Sequence, residues 1–438
     1  MKYLGQYLPI LSLVWSLLLA GMIGCEPEDE MISTDPGIRL SFSSDTVLFD
    51  TVFSSIGSTT KRLMVFNNND NAVNIERIEV AGGSNSPYTL TVRGLDGKDF
   101  NDQLLLGKDS LLILVEVTID PGDQNLPFLV RDSIEFLTNG NQQDVTLVAW
   151  GQDANFFNDS ILTCDITWTA DRPYVITNSI LIDSLCQLTI EKGAQIFSGP
   201  GSFIFVGGTL IVEGDSAERV WFRNDRLEEP FENAPGQWGG IIFLEGTKDN
   251  RIDYAVIRNA EVGVRLGAPD NDTIPDLVLS NTIIENILST GILAFTSDLY
   301  AYNVLVNNCG EFVVGNFAGG NYIYEHCTFA NFPFQFFREN PVAAFTDNVI
   351  LADNTVLSED ISVELFNSII WGSEEEELLL NNEGGSNIFF TAGFNIIKTG
   401  ISELDINNNI INQDPRFVEP ELYDYRIDSL SPGIDRGA

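Results

Sequence analysis

The single histidine of this chain, His326, directly follows Glu325, an adjacency that suits a general base steadied by a carboxylate. The plainer expectation is a half-buried strand residue, with no chemistry of its own. Four basic residues, Lys248, Arg251, Arg258 and Arg265, gather in one short stretch. On successive turns they could form a patch for an acidic glycan, although counter-charges on an acidic surface are the plainer reading. The four acids Glu374, Glu375, Glu376 and Glu377, after Trp371, read as an exposed loop, with calcium binding as the alternative. Glycoside hydrolysis needs two or three convergent carboxylates, and lyase chemistry needs a base and a cation beside the scissile bond. Neither set is evident, because Asp253 and Glu285 fall in different columns of the sequence repeat. No CxxC, HExxH, GxSxG or phosphate-loop spacing occurs. The sequence therefore assigns no catalytic residue, no metal ligand and no cofactor, with calcium on the plentiful carboxylates kept as a minor alternative.

Composition narrows the partners. The chain carries 63 acidic against 23 basic residues, a formal charge of −40. Such a surface repels phosphate backbones, so a nucleic-acid function is excluded.

At the amino terminus Lys2 precedes an uncharged, largely apolar run from Tyr3 to Gly24, interrupted by Pro9. That is the layout of a secretory signal, removed before folding. It ends Met22-Ile23-Gly24-Cys25, which resembles the lipobox of Gram-negative lipoproteins, with Met22 where Leu is usual. The resemblance implies cleavage before Cys25, acylation of its thiol and attachment to the outer membrane. The run Glu26-Pro27-Glu28-Asp29-Glu30 is a solvated tether, expected to reach Pro36, and it resembles surface-export signals of some such lipoproteins.

From residue 37 to 152 apolar and polar residues alternate in short runs, as in Arg62-Leu63-Met64-Val65-Phe66 and Leu112-Ile113-Leu114-Val115-Glu116-Val117. Clusters of Asn, Asp, Gly and Pro separate them, the pattern of half-buried strands joined by tight turns. Six or seven such strands predict an immunoglobulin-like β-sandwich. It lacks the Cys…Trp…Cys pattern of antibody domains and reads as a spacer that also resembles sandwich modules of other surface lipoproteins.

Residues 153–438 repeat. Asn281-Thr282-Ile283-Ile284-Glu285-Asn286 aligns with Asn303-Val304-Leu305-Val306-Asn307-Asn308 at a shift of 22, and His326-Cys327-Thr328-Phe329-Ala330-Asn331 follows 23 later. A period this short is one coil of a solenoid, and alternating Val, Ile, Phe and Ala point to parallel strands. The segment resembles the pectate-lyase-like superfamily, which implies a right-handed parallel β-helix and leaves activity open. Asn259, Asn286, Asn308 and Asn331 share one frame position, where stacked amides resemble the asparagine ladders of that superfamily. Cys164 and Cys186 stand 22 apart, one coil, and could pair as a disulfide at the first coil. Cys309 and Cys327 differ in frame and read as buried apolar residues. The closing phrase from Asp414 to Asp435 resembles the end of β-helix lipoproteins and is expected to cap the open end of the stack.

The expectation is thus an all-β, monomeric, lipid-anchored surface protein: signal peptide 1–24, tether 25–36, sandwich 37–152, β-helix 153–438. Its expected work is binding or scaffolding towards carbohydrate or another surface protein, with a polysaccharide lyase or hydrolase as the alternative.

Overall fold

In the computed structural model, residues 31–54, 57–58, 60–120, 127–267, 274–332 and 337–438 are described. Cys25, the signal segment and the start of the tether lie outside them. The described chain is almost entirely β, with four short 3-10 turns and no α-helix. It divides into two compact units at Gly151/Gln152.

In the first unit two five-stranded sheets share one core. One runs Ser41–Phe42, Lys61–Phe66, Ser110–Val117, Tyr88–Val92, Leu95–Gly97; the other runs Thr46–Phe53, Asn141–Gln152, Phe128–Thr138, Val73–Val80, Asp99–Leu105. Neighbours such as Lys61–Phe66 and Ser110–Val117 pair antiparallel. Alternation places Leu63, Val65, Ile113 and Val115 of one sheet against Ile75, Ile78, Ile134 and Phe136 of the other, all buried. The Tyr88 hydroxyl crosses the core to donate to the Val130 carbonyl at 3.0 Å. The last expected tether residues prove to belong here. Ser33 N donates to Ala72 O at 2.8 Å, and Asn141 Nδ2 donates to Pro36 O at 2.7 Å. Backbone groups held by sheet residues do not act as free tether, so the tether stops earlier than Pro36.

The second unit passes repeatedly through three strand positions. The first forms an 11-stranded parallel sheet that includes Val220–Asn224, Ala255–Arg258, Ile283–Ile287, Leu305–Cys309 and Thr328–Asn331. The second and third merge into a 16-stranded sheet, because Ile292–Tyr302 and Val314–Glu325 each run through both positions. These long strands turn at Thr296 (φ 43°) and at Ala318, Gly319 and Gly320 (φ 60°, 107° and 103°). Register is kept from coil to coil. Tyr174, Ile196, Phe222, Ile257, Ile284, Val306, Phe329, Ile370, Ile397 and Ile411 form one inward column. A one-residue slip would turn this whole column out to water, so burial enforces the register.

Both ends of that column are closed. At the start, Trp168 stacks on Tyr174 with centroids 4.2 Å apart and Phe157 lies 5.2 Å from Trp168. At the far end, Ile401 and Leu404 pack on the core, and a cavity of about 500 Å³ remains beside Phe390 and Ile406. The closing segment 414–438 does not supply this cap. It lies against the outer face of the 11-stranded sheet, where Phe417 meets Phe332 at 6.3 Å, Gly433 touches Ile396 and Ala438 N donates to Asn367 Oδ1 at 2.8 Å. The outward Ile369 and Ile396 are apolar, so the sheet's flank needs a cover as much as its end does.

Candidate functional site

The third strand position carries the richest outward chemistry. Strand alternation buries Leu299, Ala301, Tyr322 and Tyr324, and turns Tyr300, Tyr302, Ile323 and Glu325 outward. Register then places Glu191, Glu213, Asp253, Ser280, Tyr302 and Glu325 in one outer column. Tyr300 Oη donates to Glu325 Oε2 at 2.7 Å. Burial first, then that carboxylate, push the Tyr300 phenol up to about 12. Tyr302 is 40% exposed, and its ring meets His326 edge-on at 5.3 Å. Two coils below Tyr302, Asp253 accepts from Ser280 Oγ and Asn281 Nδ2, both at 2.8 Å, and pairs with Arg251 at 3.1 Å. Arg219 lies over the Tyr254 ring at 5.4 Å. The face thus alternates aromatic rings with fixed acceptors and donors on a rigid parallel sheet.

A turn column borders it. Tyr254, Asn281, Asn303, His326, Asn367, Phe394 and Asn408 occupy equivalent positions and all take left-handed backbone, φ 48° to 61°. Asparagine is the residue that accepts this conformation at least cost, which explains its recurrence. Asn303 Nδ2 donates to Asn281 Oδ1 at 2.8 Å. His326 is therefore an exposed turn residue, not a half-buried strand residue, and Glu325 bonds to Tyr300 instead of to it.

On the 11-stranded sheet, Asn259, Asn286, Asn308 and Asn331 lie in one column, preceded by Asn224. Asn308 Nδ2 donates to Asn286 Oδ1, and Asn259 Nδ2 donates to Asn224 Oδ1 at 2.7 Å. The other steps differ. Asn286 turns to Asn233 at 3.4 Å, and Asn331 brackets the Cys309 backbone at 2.8 and 3.0 Å. Beside this row runs Arg223, Arg258, Glu285 and Asn307. Arg258 Nε lies 3.5 Å from Glu285 Oε1 and Arg258 donates to Asn233 at 2.5 Å. Burial raises Glu285, and Arg258 and Asn307 only partly oppose it. Asn307 sits against that carboxylate, yet neither of its side-chain atoms reaches hydrogen-bond geometry.

The four clustered basic residues do not meet. Arg251 lies in Asn250–Asp253, Arg258 in Ala255–Arg258 and Arg265 in Val264–Leu266, one strand at each of the three positions, while Lys248 precedes them in a turn. Nearness in sequence spans most of one coil, so the side chains leave in different directions. In the acidic run Glu375 and Glu376 lie exposed in a loop, as expected, but Glu377 does not. Glu377 is fully buried and grips the buried Arg338 through two 2.7 Å bonds. Cys164 and Cys186 are joined as a disulfide with Cα atoms 4.5 Å apart. Cys309 and Cys327 are buried free thiols, and burial raises Cys327 to about 12. Among the described residues no three His, Cys, Asp or Glu side chains gather to hold a metal ion. No helix there is long and apolar enough to cross a membrane.

Sequence reading missed Tyr300, Tyr302 and Arg338. Strand alternation could have turned both tyrosines outward, but the partner of Arg338 lies 39 residues away. Asn224 was legible, since Trp221-Phe222-Arg223-Asn224 repeats Val256-Ile257-Arg258-Asn259.

No family model matches this chain, and no curated protein matches it. Among solved structures it is similar to a PapD-like domain of human CEP192 at 14% identity and TM-score 0.18, covering 28% of this chain and 89% of that one. A Porphyromonas gingivalis protein of unknown function gives 10% identity and TM-score 0.20, covering 29% and 60%. The periplasmic chaperone SfaE gives 15% and 0.18, covering 26% of this chain and 57% of the chaperone. At these scores the likenesses carry no argument about fold or function.

Proposed function

We propose that this chain is a lipid-anchored protein of the outer-membrane surface, an immunoglobulin-like sandwich spacer joined to a right-handed parallel β-helix that binds carbohydrate. Parallel stacking of three-strand coils supports the β-helix, and the strong bias of parallel crossovers supports its hand. The reading is carried by one observation: Tyr300, Tyr302 and His326 share an outward face with Asp253, Glu325 and Asn303. Aromatic rings cover the apolar face of a sugar while fixed carboxylates and amides take its hydroxyls. No bound cation and no partner subunit enter this reading.

A glycan array on the purified chain tests it. The expected result is binding that Tyr302→Ala weakens by about tenfold, the effect of losing one buried aromatic contact. Equal binding by the variant, or capture of a surface protein with no glycan bound, overturns it. Attachment is tested separately: Cys25→Ala should move the protein into the soluble fraction with its fold intact.

A polysaccharide lyase or hydrolase is the second reading, favoured by the acids of the other sheet. Glu285 is raised by burial, and burial holds Asp225 up at about 6 despite Arg226. Release of unsaturated or reducing sugar from polysaccharide, lost in Glu285→Gln, would establish it over simple binding.

A further inference from the structure

The segment 414–438 covers the 11-stranded sheet and satisfies its polar groups only in part. Tyr423 hydrogen-bonds the side chains of Asn286 and Asn308 and lies near Glu285, and Tyr425 is buried near Glu285 and Cys309. Beneath and beside these two rings lie buried polar atoms with no hydrogen-bond partner: both amide atoms of Asn307, Asn308 Oδ1 and the Tyr425 hydroxyl itself. Native interiors rarely leave such atoms unpaired, and a permanent cover would be expected to pair them. The segment's apolar hold is narrow, chiefly Phe417 on Phe332 and Gly433 on Ile396. Its charges serve itself: Arg416 pairs with Asp428, and Arg426 with Asp424.

We propose that residues 414–438 form a releasable strap, whose departure opens the row Arg258, Glu285, Asn307 and Asn308 to solvent while the coils stay folded. Release rehydrates the unpaired atoms and frees Glu285 to ionise in water. Glu285 faces Arg258 from the preceding coil, Tyr423 and Tyr425 from the strap, and the neutral Asn307 from the next coil. Burial raises Glu285, with Tyr423 and Tyr425 of the strap lying near it. Docking therefore favours the protonated carboxyl, is strongest in acid, and weakens as pH rises through the docked value.

Hydrogen exchange on the full chain tests this, with rates corrected for the intrinsic effect of pH. Between about pH 5 and about pH 8, amides of 417–427 should become about tenfold less protected while the coil strands do not, the change expected of one displaced carboxyl titration. Glu285→Gln, a neutral carboxyl mimic, should keep the strap docked and abolish that pH dependence. Tyr423→Ala should loosen the strap at both pH values, and a chain ending at Gln413 should still melt cooperatively. The proposal fails if the strap exchanges only together with the coils, if the pH dependence survives in Glu285→Gln, or if truncation at Gln413 prevents folding.

Discussion

Two arginine–glutamate pairs of the second unit make opposite use of burial. Arg338 and Glu377 are completely enclosed and meet through paired 2.7 Å bonds. Arg338 also donates to Asn340 O and Ser373 Oγ, and Glu377 accepts from Val342 N and Glu374 N. Arg258 and Glu285 stay slightly exposed, meet only through Arg258 Nε at 3.5 Å, and have an unpaired Asn307 beside them. The first pair is a lock that joins chain segments whose backbone amides it satisfies. The second is a loose contact whose surroundings leave room for change. Burial of charge is tolerated where short paired bonds and backbone amides fill the carboxylate, although Arg338 Nε too has no partner, and a long contact beside an unpaired amide marks a candidate for movement.

Unequal responses to mutation should expose that contrast. Arg338→Ala strands Glu377 in the interior and should cost about 3–5 kcal/mol in denaturant unfolding, whereas a joint change of both residues to Met and Leu should recover most of it. A loss as mild as that of a surface change would erase the difference between the two pairs.

Next in size comes Asn286→Ala, which removes the rung to Asn308 and puts a Cβ-bearing, non-capping residue at φ 56°. We expect a loss of about 2 kcal/mol, with Asn286→Gly recovering the backbone part. Equal melting of the two variants would mean that the turn conformation contributes nothing.

Glu285→Gln should cost no more than about 1 kcal/mol near neutral pH, because the pair it breaks is poorly made and its carboxyl is already raised by burial. A loss as large as that of Arg338→Ala would place both pairs in one class.

Tyr425→Phe should change stability by less than about 0.5 kcal/mol, or raise it, since the deleted hydroxyl is buried without a partner. A clear loss would reveal a bonded hydroxyl and weaken the case for a poorly satisfied strap.

Much of this architecture is written locally. Period-two runs near residues 61–66 and 110–117 announce the strands of the first unit, and the 22-residue shift from Asn281 to Asn303 announces a coil stacked on a coil. The column of asparagines follows from the same frame, because register repeats sequence spacing directly. These features depend on neighbours in the chain or on its periodicity, and burial of one face leaves no freedom in either.

Tertiary structure alone decided the rest. Lys248, Arg251, Arg258 and Arg265 look like a patch in sequence and are scattered by the change of direction from strand to strand. Glu377 looks like one acid among four and becomes a buried partner because Arg338, 39 residues earlier, arrives from another segment. The closing segment reads as a cap, yet the outward isoleucines of the 11-stranded sheet offer it a flank to cover, while Ile401 and Leu404 have already closed the end. Sequence determines which face each strand buries, since that follows from alternation. Which distant side chain completes a charge, and which surface a terminal segment covers, depend on contacts that only the assembled coils bring together.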